Sequence, residues 1–177
     1  MLDDLDTIAY TVTLPDSGTL LIGDAVRRLG FNPNTLKSPG QWEPSGLLYL
    51  YQVDNGIVTL DWVNPGEDRQ NITDRLAGEG FRHWYVSFDI EGNTSMYVRY
   101  GEIEGDLDHP GPIDIPFSQR SDRLGPLSGY RELLTAGFDS EVAEAEVDIT
   151  AACLAIVELE SGIRLDDELM NGPCSRL

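Results

Sequence analysis

The sequence predicts a single α+β domain: a largely antiparallel sheet built from two hairpins, about 46–63 and 81–100, plus an N-terminal strand, packed against short helices and C-terminal helices. Two stretches of alternating, β-favouring residues surround the turn signals Asp54-Asn55-Gly56 and Glu91-Gly92-Asn93. Helical spacing occurs only in short segments before, between and after them, and the strongest strands form hairpins, not the strand–helix–strand units of a parallel sheet. A length of 177 residues with 41% hydrophobic content supplies one core and excludes wholesale disorder.

Thr7 to Leu14 is rich in β-branched residues and stops at Pro15-Asp16-Ser17-Gly18, a turn sequence. Ile22, Ala25, Val26 and Leu29 then recur at helical spacing, with Gly30 as a C-cap. Residues 31 to 46, with three prolines around Trp42, read as an irregular connection. In the second arm of the first hairpin Val58, Leu60 and Trp62 form a buried face, and Thr59 and Asp61 a wetter one. A helix is expected to begin near Asp68, bury Ile72 and Leu76, end at Gly78 and carry Arg69 and Arg75 outward.

In the second hairpin Trp84, Val86, Phe88 and Ile90 share a face that Met96, Val98 and Tyr100 can match across the pair. The opposite face offers His83, Tyr85, Ser87, Asp89, Ser95, Tyr97 and Arg99, a polar set suited to recognition, or one that an antiparallel sheet leaves wet or covers with the C-terminal helices. From 101 to 126 glycines and prolines interrupt every period, which predicts an irregular acidic loop. Ser128 to Ala136 predicts a short helix. Asp148 caps a stronger one from Ile149 to about Glu160, with Ala152, Cys153 or Leu154, Ile156 and Leu159 inward and Gly162 at its close. Asp166 caps a last turn through Leu169 and Met170, and 171–177 is expected to be a flexible tail.

Thirty-one acids against twelve bases give a formal charge of −19. That field repels nucleic-acid backbones and anionic membranes, so neither is an expected direct partner, and it speeds association with basic protein surfaces. The excess is local. Residues 137 to 170 hold ten acids against Arg164 alone, and Glu102, Glu104, Asp106, Asp108 and Asp114 fall in a stretch, 100 to 119, with no Lys or Arg. Acid at Asp3, Asp4 and Asp6, where a signal peptide needs base, predicts a cytoplasmic protein, and Cys153 and Cys174 are expected as free thiols.

Catalytic signatures are sparse. His83 and His109 are the only imidazoles, and no Gly-x-Ser-x-Gly accompanies the His83, Ser87, Asp89 grouping. Glu102 to Gly111 concentrates carboxylates, but a calcium-loop register from Asp106 puts Pro110 at position five and Phe117 at position twelve. Two cysteines twenty residues apart and two histidines give no zinc spacing, and no glycine-rich phosphate loop exists. No metal or cofactor is therefore expected.

The turn Asp54-Asn55-Gly56, the segment Leu76-Ala77-Gly78-Glu79-Gly80-Phe81 with its aromatic strand, and Ala151-Ala152-Cys153-Leu154-Ala155-Ile156-Val157-Glu158 with Ser161-Gly162-Ile163-Arg164-Leu165 resemble an uncharacterised, mainly actinobacterial family, domain of unknown function 6461. The resemblance spans roughly residues 7 to 170 and implies one α+β domain with no assigned catalytic residue. Asp106 to Pro116 departs from it, so a role there would be particular to this chain. One lysine, Lys37, against eleven arginines fits a GC-rich genome, actinobacterial or phage.

The expected function is non-catalytic: an acidic immunity factor, inhibitor or antagonist that binds a basic partner protein. Its binding residues would be Glu102, Glu104, Asp106 and Asp108 with Tyr85, Tyr97, Arg99 and His83, which combine charge with aromatic anchors. Two alternatives stand beside it: an enzyme with a pocket between sheet and C-terminal helices, and a DNA mimic occupying a nucleic-acid-binding protein.

Overall fold

Tyr10, Val12 and Leu14 alternate with Thr11 and Thr13, so the strand Thr7–Pro15 (β1) can be buried on both faces, and it takes the middle of the sheet. In the computed structural model, which describes residues 7–37, 48–61, 69–89, 93–107, 123–138 and 148–177, six further strands join it. They are β2 (Tyr49–Val53), β3 (Gly56–Asp61), β4 (Phe81–Asp89), β5 (Thr94–Tyr100), β6 (Ile103–Leu107) and β7 (Ser175–Arg176). The spatial order is β6-β5-β4-β1-β3-β2-β7, antiparallel throughout. The domain is α+β, as expected, with one hairpin on each side of β1.

The first turn forms for a different reason from the one its Asn-Gly step suggests. Val53 pairs with Gly56, which leaves Asp54 and Asn55 as the loop, and the left-handed backbone falls on Asp54, at φ 42°. Gly56 is needed for approach: a Cβ there would overlap the Thr13 carbonyl oxygen and the Leu14 side chain. Ile90, Glu91 and Gly92 of the second turn, and Trp62, lie outside the described residues.

One sheet face carries Tyr10, Val12, Leu60, Trp84, Val86, Met96 and Val98. Helices α3 (Arg131–Phe138) and α4 (Ile149–Ser161) cover it with Leu134, Cys153, Ile156 and Val157. The inward stripe of α4 is Ile149, Ala152, Cys153, Ile156 and Val157. Leu159, expected on that stripe, is 70% exposed, because a helix turning 100° per residue carries it past the sheet. Asp148 accepts from the Ala151 amide at 2.7 Å, and Gly162, at φ 73°, closes the helix.

A hydrogen-bonded chain ties α4 to the sheet. Trp84 Nε1 donates to Tyr100 Oη at 2.9 Å, and Tyr100 Oη donates to Glu160 Oε2 at 3.0 Å. Tyr130, at the end of the 3₁₀ helix Gly125–Tyr130, donates to Glu160 Oε1. One carboxylate near the end of α4 thus gathers two phenols and, through them, the core indole.

On the other face α1 (Ile22–Leu29) buries Ala25, Val26 and Leu29 against Leu48, Leu50, Ile57 and Leu76. Leu76 arrives on the 3₁₀ turn Asp74–Leu76 that follows α2 (Arg69–Thr73). Arg75, expected to point outward, donates to the Leu29 carbonyl at 2.9 Å, and Arg28 donates to the Ala77 carbonyl at 2.7 Å. Each segment thereby satisfies carbonyls at the other's end. The last helix, α5 (Asp167–Met170), is capped by Asp166, which accepts from the Leu169 amide at 2.9 Å.

Both expected loose ends are corrected. The stretch 101–126 is not irregular throughout, because Ile103–Leu107 forms β6 through a tight turn at Gly101, φ 62°. The 171–177 tail places β7 beside β2, and the Leu177 amide donates to the Leu48 carbonyl at 3.0 Å. Both sheet margins are also covered. Lys37 bridges Arg176 outside β7, while the Asp106 amide donates to the Arg123 carbonyl and Gly105 and Gly125 admit close backbone contact between β6 and residues 124–125. Both thiols are free, Cys153 buried and Cys174 half-buried. Among the described residues no helix is long and apolar enough to cross a membrane.

Two substitutions test these contacts. Gly56→Ala should lower unfolding stability by about 1–3 kcal/mol through overpacking, whereas Gly129→Ala, which meets nothing within 4 Å, should stay near neutral in urea titrations. Glu160→Gln should cost about 1–2 kcal/mol, since charge-assisted bonds from two phenols become neutral ones, and the same titrations would show it.

Candidate functional site

The candidate binding residues of β4, β5 and β6 fall into two cross-strand rows on the face opposite α3 and α4. Thr13 stands beside His83, His83 beside Arg99 and Arg99 beside Glu104. Thr11, Tyr85, Tyr97 and Asp106 form the second row. Seven of the eight residues expected to bind are therefore on one surface or at its margin, and Asp108 lies outside the described residues. Because the Asp106 amide points away from β5, the Arg99–Glu104 and Tyr97–Asp106 pairs are the non-hydrogen-bonded kind, whose side chains stand closest.

Burial falls steeply along these rows toward β6, so the polar face is neither evenly wet nor covered by the C-terminal helices, which pack on the other face. His83 is fully buried and Tyr85 nearly so, as are Thr59 and Asp61 on β3. The cause is position: β4 lies next to the central strand, beneath the segment carrying Thr73, Leu76 and Ala77. Among the described residues these rows are most open at their β6 end, with Glu104 57% and Glu102 76% exposed at their side chains. His83 and Tyr85 are accordingly interior residues and cannot meet a partner as the sheet stands.

At the buried ends of both rows the side chains bond internally, His83 Nε2 excepted. Thr11 and Thr59 share a hydrogen bond at 2.5 Å, and Thr13 Oγ1 and His83 Nδ1 share one at 2.7 Å. His83 Nε2 is buried with no hydrogen-bond partner. Burial first, and the Arg99 charge second, push the imidazole down to about 3, so it is neutral at physiological pH.

Arg99 organises the outer part. It donates to Asp74 Oδ2 at 3.1 Å and, through Nε, to the Gly101 carbonyl at 3.1 Å, with Glu102 at 3.5 Å and Glu104 at 3.9 Å. Burial works against its charge, but these carboxylates, Asp74 foremost, outweigh it and raise its pKa. Tyr97 is also raised, by burial and then by Asp74, and remains a neutral phenol. Arg123 lies 3.9 Å from Asp106. The rim of Asp74, Glu102, Glu104 and Asp106 thus keeps more negative than positive charge, with Ile103, 64% exposed, between its two most open carboxylates in sequence.

Asp74 is the member that sequence reasoning missed. It lies 25 residues before Arg99 in a helix read for its apolar positions, and only the folding of that helix across the sheet joins them. The C-terminal acidic zone, by contrast, is largely occupied in holding the fold: Asp148 and Asp166 cap helices, Glu158 faces Arg164 at 3.7 Å, and Glu160 binds two phenols. Asp139, Glu141, Glu144 and Glu146 are outside the described residues. Among those described, no group of three or more His, Cys, Asp or Glu could hold a metal ion. No family model, curated protein or solved structure matches the chain.

His83 gives a pH signature with a definite sign. Between its ordinary value near 6.5 and about 3 the unfolded chain binds a proton that the folded chain refuses, so its contribution favours folding more as pH rises through that window. The stability of the wild type minus that of His83→Gln should rise by about 1.4 kcal/mol per pH unit there and level off above it. Urea midpoints at several pH values measure the difference, and a flat difference would contradict the buried neutral imidazole.

Proposed function

We propose that this chain is a non-catalytic protein-binding protein of the immunity, inhibitor or antagonist type, steered to a basic surface of a partner protein by the rim of Glu102, Glu104 and Asp106. The observation that carries the reading is the state of charge at the open end of the site. Arg99 is engaged most closely by Asp74, so Glu102 and Glu104 project with their charge only partly offset. Exposed carboxylates contribute modestly to affinity and strongly to the rate and orientation of encounter. Ile103, also exposed, alternates to the opposite face of β6 and is not part of the rim.

Docking through side chains fits the covered margin of β6. A partner strand adding to the sheet would compete with the Asp106–Arg123 hydrogen bond and the close packing of Gly105 and Gly125. Membership of the uncharacterised family named above is part of the same proposal and adds no activity to it.

The test is capture of partners from the native host by wild type and by E102Q/E104Q, followed by association kinetics with the recovered protein. The Asp74–Arg99 pair stays intact in the variant, so folding is preserved. The variant should associate about ten-fold more slowly, and wild-type association should slow markedly between about 0.05 and 0.15 M salt. Equal capture with salt-independent rates would overturn the reading.

A further inference from the structure

A cleft of about 450 Å³ opens at the other end of the sheet, between the β2–β3 hairpin and the residues around α5. Tyr51, Ile163 and Leu169 give it apolar walls. Among the described residues, three carboxylates, Asp54, Asp166 and Glu168, line it, against Arg164 as the one lining cation. Its size is that of a small-ligand site, and its charge is lopsided.

The carboxylates differ in what they already do. Asp166 caps α5 through the Leu169 amide. Arg164 leans toward Glu158 at 3.7 Å, which draws part of its charge away from the cleft. Asp54 and Glu168 are exposed, and among the described residues neither carboxylate has a hydrogen bond or an ion pair. Asp54 is held at the hairpin tip by a left-handed backbone, a conformation that L-residues other than Asn and Asp seldom adopt. Tyr10, 1% exposed, has a buried hydroxyl without a partner, and lies close enough to Asp166 and Glu158 to feel their charges.

We propose that this cleft binds an organic cation on a short apolar stem, of which the arginine side chain is the form a protein carries. The stem would lie against Ile163 and Leu169, and the guanidinium would meet Asp54 and Glu168, whose spare acceptors suit its forked donors. The site is separate from the β6 rim in sequence and in sheet position and does not depend on the function proposed for it.

Titrations followed by NMR test the assignment with defined probes: the capped peptide acetyl-Gly-Arg-Gly-amide, free n-butylguanidine, and the uncharged analogue acetyl-Gly-citrulline-Gly-amide. Both guanidinium probes should shift signals of Ile163 and Leu169 at millimolar concentration, and the citrulline peptide should not. In D54N/E168Q the affinity should fall about ten-fold, the loss of two partly exposed charges. Asn keeps the left-handed turn at position 54, so an unchanged unfolding midpoint would show that the fold survives. Binding of the peptide but not of n-butylguanidine would assign the site to a protein partner, and the reverse to a free small cation. Equal shifts with the citrulline peptide, undiminished binding by D54N/E168Q, or no shifts with either guanidinium would overturn the proposal. E102Q/E104Q should leave these titrations unchanged, which separates failure here from failure of the rim.

Discussion

β1 has neither a free edge nor, from Ala9 onward, a free face, and most of the molecule is arranged around that constraint. Its backbone is satisfied on both sides, by β3 and β4. Its buried threonine hydroxyls find partners inside the protein, since a buried polar group left unpaired costs about 1–3 kcal/mol. Thr11 turns to Thr59 and Thr13 to His83. That second bond holds a histidine in the interior, where burial keeps it neutral, so a residue that looks available for chemistry serves the core.

The same constraint grades the polar face. At β4 the rows are sealed by the segment carrying Thr73 and Leu76, at β5 they are half-open, and at β6 they meet solvent. Arg99 stands at the transition. Its contact with Asp74 links the covering segment to the sheet, and its longer contacts reach the exposed acids. A cation in that position lets acids crowd a short strand without unopposed repulsion, and still leaves a negative rim.

Acidity is therefore divided between tasks. At the C-terminus carboxylates cap helices and bind phenols, and Glu160 couples α4 to Tyr100 and through it to Trp84. At the rim and beside the hairpin tip, Glu102, Glu104, Asp54 and Glu168 are exposed. A net charge of −19 alone does not tell a helix cap from a docking residue. The distinction lies in which acceptor lone pairs the fold has already used.

Local signals were sufficient for the longer elements. Proline and glycine punctuation, alternation in the strands, and caps at Gly30, Asp148, Gly162 and Asp166 depend on near neighbours, and the structure keeps them. The facing of Trp84, Val86, Met96 and Val98 also follows from period-two geometry. Gly56 shows where that reasoning stops: the residue was legible, but its reason is the passage of β1 beside it. β6 and β7 were missed because five-residue and two-residue strands have too little pattern of their own and form on an edge that other segments have already built.

The sequence by itself determined the α+β class, the two hairpins, the helix caps and the acidic balance, because each is set by residues near one another in the chain. Tertiary structure alone decided which polar face is wet, that Asp74 holds Arg99, and which carboxylates are left without partners. Those outcomes depend on segments 25 to 70 residues apart being laid across one sheet, as Asp74 with Arg99 and Thr13 with His83 show, and no local propensity encodes that contact.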